Sequence, residues 1–200
     1  MINSLIKYFK AQGKIRRKDT APIRVMGFQR QSDLYSLFNE LGYKKGIEIG
    51  VRWGENAQKM CEAIPGLDLT VCDVWTNYDD ADRLYQGDKH QRFYAKAKQV
   101  LAPYNVTFKK MLSMEAVQEF APESLDFVYI DGNHKFDYIM EDLIEWIEKV
   151  RIGGMISGHD FSKLLDQHVF EAVNLYAKVH NIRELFMTDE QDPSFFWRKT

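Results

Sequence analysis

Four polar residues stand where two apolar segments end. Asp131 and His134 follow Leu125–Ile130, and His159 and Asp160 follow the segment 155–158. Near-continuous apolar runs of this length read as central parallel strands covered on both faces. Neighbouring strands lie about 4.8 Å apart, so the four groups are expected at one mouth. Two carboxylates held that close repel one another unless a cation or a proton intervenes. The pattern therefore calls for a divalent metal on Asp131 and Asp160, or for a histidine partner. Either device can take the proton from a hydroxyl nucleophile, the metal as a Lewis acid and the histidine as a base near its ordinary pKa of about 6.5. Asp131 and Asp160 could instead cap the helices that follow them. Two histidines at one strand-end mouth favour a chemical role, whereas His90 and His168 read as structural, one in a loop and the other beside Val169 on a helix face.

A second constellation lies upstream. Ile47, Glu48, Ile49, Gly50, Val51, Arg52, Trp53 and Gly54 form a short strand running into a glycine turn and a helix, a place where a ligand can approach the backbone. Asp73 follows Glu48 by 25 residues, at the end of the next strand, where an acid can accept hydrogen bonds from ribose hydroxyls. Together they suggest an adenosine-bearing cofactor. A dinucleotide site wants a second glycine in the middle of the turn, so that the pyrophosphate can pack on the backbone, but Arg52 occupies that position and Glu55 replaces the third glycine. S-adenosylmethionine has no pyrophosphate, and Glu48 is placed to meet its cationic amino-acid end. The turn thus favours methyl transfer over hydride transfer, with an NAD-dependent dehydrogenase or epimerase as the rival enzyme and a non-catalytic interaction module as the rival from another class.

Elements able to position these residues alternate along the chain from residue 31 onward, which argues for parallel βαβ units. Seven strands are expected, at 47–49, 67–74, 106–108, 125–130, 155–158, 183–187 and 195–198. Helices are expected from Ser32 to Gly42, over 56–63, up to Leu101, over 136–150 and over 165–179. Phe136, Ile139, Met140, Leu143, Ile144, Ile147 and Val150 keep a 3.6-residue period and read as core. Residues 75–94 break the rhythm: their five aromatics, interleaved with charges, fit a packed flap and an acceptor-stacking lid equally well.

The segments EIGVRWG at 48–54, VCDVW at 71–75, LDFVYIDGNHKFDYIMEDLIEW at 125–146 and IGGMISGHDF at 152–161 resemble the class I S-adenosylmethionine-dependent methyltransferases, in particular the small bacterial group that includes sugar and macrolide O-methyltransferases. The resemblance implies a doubly wound, Rossmann-like α/β fold, with a mostly parallel seven-stranded sheet and an antiparallel closing strand. It also implies that Glu48, Gly50 and Gly54 hold the methionine part of the cofactor and Asp73 its ribose. Ser113 or Met114 would lie near the adenine, and Asp131 beside the methyl group. Catechol-type relatives place an acidic or amide residue directly after the second aspartate; here that residue is Phe161, which cannot ligate. Mg²⁺ can still be held by two carboxylates with water and substrate oxygens, but the burden of deprotonation then leans toward His134 or His159.

Size and charge set the outer bounds. A chain of 200 residues fits one domain with a real core. Cys61 and Cys72 lack disulfide or metal-finger spacing, and no apolar run approaches the roughly 20 residues of a membrane span. With no secretory signal, the expected location is the cytoplasm. The net charge of −2 conceals an asymmetry, because residues 1–30 carry eight basic residues against Asp19 alone, a balance of +7. Residues 1–30 are therefore read as a basic N-terminal extension to a methyltransferase domain at 31–200 that should fold without it. Ile2, Leu5, Ile6 and Phe9 have helical spacing, so the extension is expected to dock on its own domain or a second subunit, with an anionic membrane surface as the alternative. The expected partner is a small-molecule acceptor, such as a sugar hydroxyl, and not nucleic acid.

Overall fold

The computed structural model describes residues 2, 4–16, 21–76, 89–163 and 168–200. In chain order the elements are α1 (Leu5–Ala11), β1 (Ile23–Arg24), α2 (Tyr35–Glu40), β2 (Lys45–Ile49), α3 (Glu55–Ala63), β3 (Asp68–Cys72), α4 (Lys89–Leu101), β4 (Val106–Lys109), α5 (Ser113–Ala116), β5 (Leu125–Ile130), α6 (Phe136–Lys149), β6 (Val150–Gly158), α7 (Val169–Val179), β7 (Phe186–Met187) and β8 (Phe195–Arg198). A π-helical turn, Arg30–Leu34, leads into α2. Tyr78 and Tyr85 of the aromatic insertion, and the start expected for the last helix at residue 165, fall outside the described residues.

The eight strands among the described residues form one sheet, ordered β1-β7-β8-β6-β5-β2-β3-β4. Every pairing is parallel except those of β8, which runs antiparallel to both β6 and β7. Seven of these strands match the expected seven, and the eighth, β1, comes from the basic extension. Buried residues of α1 to α4 pack on one face and those of α5 to α7 on the other, so the sheet is doubly wound. The reason is visible in β2 and β5, where successive side chains alternate between the two cores: Ile47 and Ile49 face one, Phe127 and Tyr129 the other.

The extension belongs to that packing. Leu5, Phe9, Ile15, Ile23, Val25 and Phe28 are buried, and Phe9 meets Phe186 and Phe196 edge-on. Its apolar face therefore docks on the domain's own sheet edge. In α6 the periodic stripe is shifted slightly: Ile139, Leu143 and Trp146 are buried, while Ile144 is 49% exposed. No helix among the described residues is long and apolar enough to cross a membrane.

The chain moves outward from β2 through β3 to β4, then returns to place β5 on the other side of β2. Open α/β sheets bind ligands outside the carboxyl ends of strands at such a reversal. Here the ladder runs one residue past the strands: Gly50 N donates to Cys72 O, Asp131 N to Ile49 O, His159 N to Ile130 O and Asp73 N to Lys109 O. Gly50, Asp73, Asp131 and His159 consequently form one row along the sheet's carboxyl edge.

Candidate active site

Two cavities open along this row. The first, of about 350 Å³, is lined by charged groups that include Arg30, Glu48, Asp73, Asp131, His159 and Asp160. The second, of about 480 Å³, is walled by Met111, Leu112, Met114 and Tyr138, with Ser113 and Asp142 at its polar side. Gly50, Asp73 and Gly132 line both, so the two form the halves of one elongated groove.

The glycine turn is shaped for a close approach. At Gly50 φ is +81°, and a Cβ there would lie 1.9 Å from Asp131 O, so only glycine fits. Gly54 lines neither cavity; it caps α3 with φ of +87° and lets that helix approach Ala97 and Leu101. Asp73 holds the turn. Its Oδ2 accepts from Val51 N and Arg52 N, both at 2.9 Å, and its Oδ1 accepts from Trp75 N at 2.8 Å. A carboxylate oxygen has about two acceptor sites, so Oδ1 keeps one for a ligand hydroxyl. The same bonds occupy backbone N–H groups that would otherwise cradle a phosphate.

Glu48 is 1% exposed, on the face of β2 toward α2 and α3. Its Oε1 accepts from Asn56 Nδ2 at 2.7 Å, and Tyr35 Oη donates in turn to Asn56 Oδ1. Its Oε2 is buried with no partner. Burial, reinforced by the nearby Asp131 carboxylate, pushes the Glu48 carboxyl up to about 8, against the opposing bond from Asn56.

The four strand-end residues do converge. Asp160 lies between the two imidazoles: its Oδ1 is 3.1 Å from His159 Nδ1 and its Oδ2 is 3.0 Å from His134 Nε2. Asp131 Oδ1 sits 3.9 Å from each of those imidazole nitrogens. Burial alone would raise the Asp160 carboxyl, but the two imidazoles hold it well below the usual carboxylate range. Burial would likewise lower His159, yet its bond to Asp160 and the charges of Asp131 and Asp160 raise it. Asp131, His134 and Asp160 offer ligand atoms within 4.8 Å of one another, so His134 joins the two carboxylates named from sequence as a donor set that fits a divalent cation. Phe161 is fully buried in the apolar core, stacked on Phe170. Arg52, Trp75 and Asp160, three of the five non-glycine residues with positive φ among the described residues, line this same cavity, a clustering of backbone strain typical of functional sites.

Ser113 and Met114 line the apolar cavity. The Ser113 hydroxyl is already engaged, donating to Asp142 and accepting from Trp146 Nε1 at 2.7 Å. His168 has a structural position: its Nδ1 accepts from Phe136 N and its backbone N–H donates to His134 O, bracing the loop that carries His134. His90, read as structural from sequence, lines the polar cavity instead. Sequence reasoning also passed over Arg30, Asn56 and Asp142. The signal for Asp142 was present, since an acid between Ile139 and Leu143 on the buried face of α6 contradicts its surroundings.

A methyltransferase-domain family pattern matches residues 47–161, more than half of the chain. The uncharacterized protein y4gI of Sinorhizobium fredii is 27% identical over 158 residues, which is 74% of this chain but 16% of that protein's length. An O-methyltransferase from Bacillus cereus, solved in complex with S-adenosylhomocysteine, superimposes with a TM-score of 0.61 at 14% identity, covering 96% of this chain and 86% of that one. The O-methyltransferase TomG from Streptomyces achromogenes, involved in tomaymycin synthesis and solved with S-adenosylmethionine, gives a TM-score of 0.59 at 14% identity over 84% of this chain and 78% of that one. With that pattern covering both strand-end clusters, the chain belongs to the methyltransferase-domain family and carries the class I S-adenosylmethionine-dependent methyltransferase fold.

Proposed function

We propose that the protein is an S-adenosylmethionine-dependent methyltransferase that methylates a hydroxyl oxygen of a small molecule such as a sugar or related metabolite. The groove supports the cofactor reading. Its polar half offers the unpaired Glu48 Oε2 to an ammonium, its middle offers one acceptor site on Asp73 to a ribose, and its apolar half suits a purine. The bonds from Val51 N and Arg52 N to Asp73 count against a dinucleotide, whose phosphates need those donors. When bound, S-adenosylmethionine supplies a methyl group on a positively charged sulfur.

The observation that carries the choice of oxygen is the Asp160–His159 pair at the cavity wall. Asp160 binds His159 through Nδ1, which leaves Nε2 to accept a proton from an acceptor hydroxyl, and the raised basicity of His159 suits that task. His134 directs Nε2 at the same carboxylate, so its part is to hold Asp160 or, with Asp131, to help hold a divalent ion such as Mg²⁺. Asp131, at the end of β5, would flank the reacting centre. Positioning the acceptor in line with the methyl carbon supplies much of the remaining rate.

Calorimetry with S-adenosylhomocysteine, followed by methyl transfer from labelled cofactor to a panel of hydroxylated acceptors, tests the proposal. Micromolar or tighter binding and label transfer to oxygen are expected. No binding by the wild-type protein would overturn the assignment, and transfer confined to amines would overturn the choice of oxygen.

A further inference from the structure

Two residues that line the charged cavity each hold a buried polar atom without a partner, one on an acid and one on a base: Glu48 Oε2 and Arg30 Nε. Arg30 opens the π-helical turn before α2, and its position is set from behind. Its backbone N–H donates to Glu190 Oε1 at 3.1 Å, and Thr188 Oγ1 donates to the same oxygen at 2.7 Å. Its Nη1 donates to Tyr129 Oη at 3.5 Å, and that phenol is 2.8 Å from Ser194 Oγ. One edge of the guanidinium is thus tied to β5 and β8, while the Nε edge is unused. Among the described residues no carboxylate lies within 4.0 Å of it.

A desolvated guanidinium without a counter-ion is costly, and so is a buried carboxyl oxygen without a donor. Both costs are relieved by one ligand that carries an ammonium and a carboxylate on neighbouring atoms. Of the other acids that line the cavity, Asp73 is committed to the turn and Asp160 to the two histidines, Asp131 lies 3.9 Å from both imidazoles, and Glu55 opens α3. We infer that Arg30 and Glu48 together form a receptor for an α-amino-acid zwitterion, Arg30 binding its carboxylate and Glu48 its ammonium. The inference rests on the cofactor reading above and adds to it the residue that recognises the carboxylate of the methionine part. A planar guanidinium suits this task because it presents paired N–H donors to a carboxylate.

The test compares S-adenosylhomocysteine with its decarboxylated analogue by calorimetry, on wild type, Arg30→Gln and Arg30→Lys, each checked for folding by its melting temperature. Wild type should bind the decarboxylated analogue about 10- to 100-fold more weakly. Arg30→Gln should lose about the same factor toward S-adenosylhomocysteine and little toward the analogue, and Arg30→Lys should recover part of the loss. Equal losses toward both ligands would make Arg30 a structural residue and overturn the inference. An unchanged affinity for S-adenosylhomocysteine in Arg30→Gln would overturn it too, and a raised KM for the acceptor alone would reassign Arg30 to the acceptor. If Arg30→Gln fails to fold, full retention of discrimination by Arg30→Lys together with equal wild-type affinity for the two ligands would still reject it. Absence of S-adenosylhomocysteine binding by wild type would bring down the methyltransferase reading as well, which separates the two failures.

Discussion

The two halves of the groove each contain one buried acid, and their neighbours treat the two acids differently. In the apolar half, Asp142 is 4% exposed and is pushed up to about 7, by burial first and by the nearby Glu141 second. Its Oδ1 accepts from the Ser113 hydroxyl, which Trp146 also binds, and neither of its oxygens is at once buried and without a partner. In the polar half, Glu48 is equally buried and pushed up to about 8, but one of its oxygens has no donor. Burial alone therefore does not mark a binding residue. An incomplete network does, because the missing partner must come from outside if the cost of desolvation is to be recovered.

The largest test of this contrast acts where the halves meet. Gly50→Ala should destabilise the domain by about 3 kcal/mol or more, since it combines a positive φ with a Cβ 1.9 Å from Asp131 O, and should abolish binding in both halves. A variant that melts within two or three degrees of wild type and still binds S-adenosylhomocysteine would mean that the turn is softer than its geometry implies. Next in size, His159→Ala should lower turnover about 10²-fold or more while leaving S-adenosylhomocysteine affinity intact. His134→Ala should cost less, and chelator-treated enzyme should keep most of its activity. Abolition of activity by chelator, restoration by Mg²⁺ and indifference to His159→Ala would move the task from histidine to a metal held by Asp131, His134 and Asp160.

Exchanging each acid for its amide addresses the comparison itself. Glu48→Gln should weaken S-adenosylhomocysteine binding about 10- to 100-fold, because a charge-assisted bond to the ammonium is lost. Asp142→Asn should change it by no more than about threefold, since an amide oxygen can still accept from Ser113. Similar losses in both would erase the distinction drawn here.

The smallest effect is on pH dependence. The folded-state pKa of Glu48 lies above its ordinary value of 4.5, so its contribution to stability is fully present below pH 4.5 and is lost as pH rises through about 8. The ligand-free protein should therefore lose stability across that window. Ligand binding should run the other way, tightening as Glu48 ionises by up to about tenfold per pH unit. Asp131, Asp73 and Arg30 also face Glu48, and the His159 imidazole, raised by its bond to Asp160 and by the charge of Asp131, lines the same cavity. Glu48→Gln is thus the necessary control: it should flatten the affinity profile measured by calorimetry between pH 6 and 8, and Asp142→Asn should not.

Much of the site was legible in the chain because its residues end apolar strands. Asp73, Asp131 and His159 are polar where runs of buried residues stop, Glu48 is an acid inside such a run, and a parallel sheet brings the ends of these runs into one row. The glycine turn was legible for a similar local reason, since its position between a strand and a helix restricts what the backbone can do. Arg30 was not. It was counted as one more charge in a basic extension, and nothing near it in sequence indicates that the described part of residues 1–30 supplies six buried apolar side chains and, in Arg30, part of a cavity wall.

What the sequence determined by itself was the order of strands and helices, the edge at which polar groups would gather, and the chemistry those groups could perform. All of these follow from local periodicity and from residue types at element ends. What only the tertiary structure decided was partnership: that Asp73 fills the turn a phosphate would need, that Asp160 binds His159 through Nδ1, that a Glu48 oxygen is buried without a donor while no oxygen of Asp142 is, and that Arg30 lines the same cavity as Glu48. Hydrogen bonds and ion pairs depend on distances of a few ångströms between residues separated by tens of positions along the chain. Those distances are set by the packing of helices on the sheet.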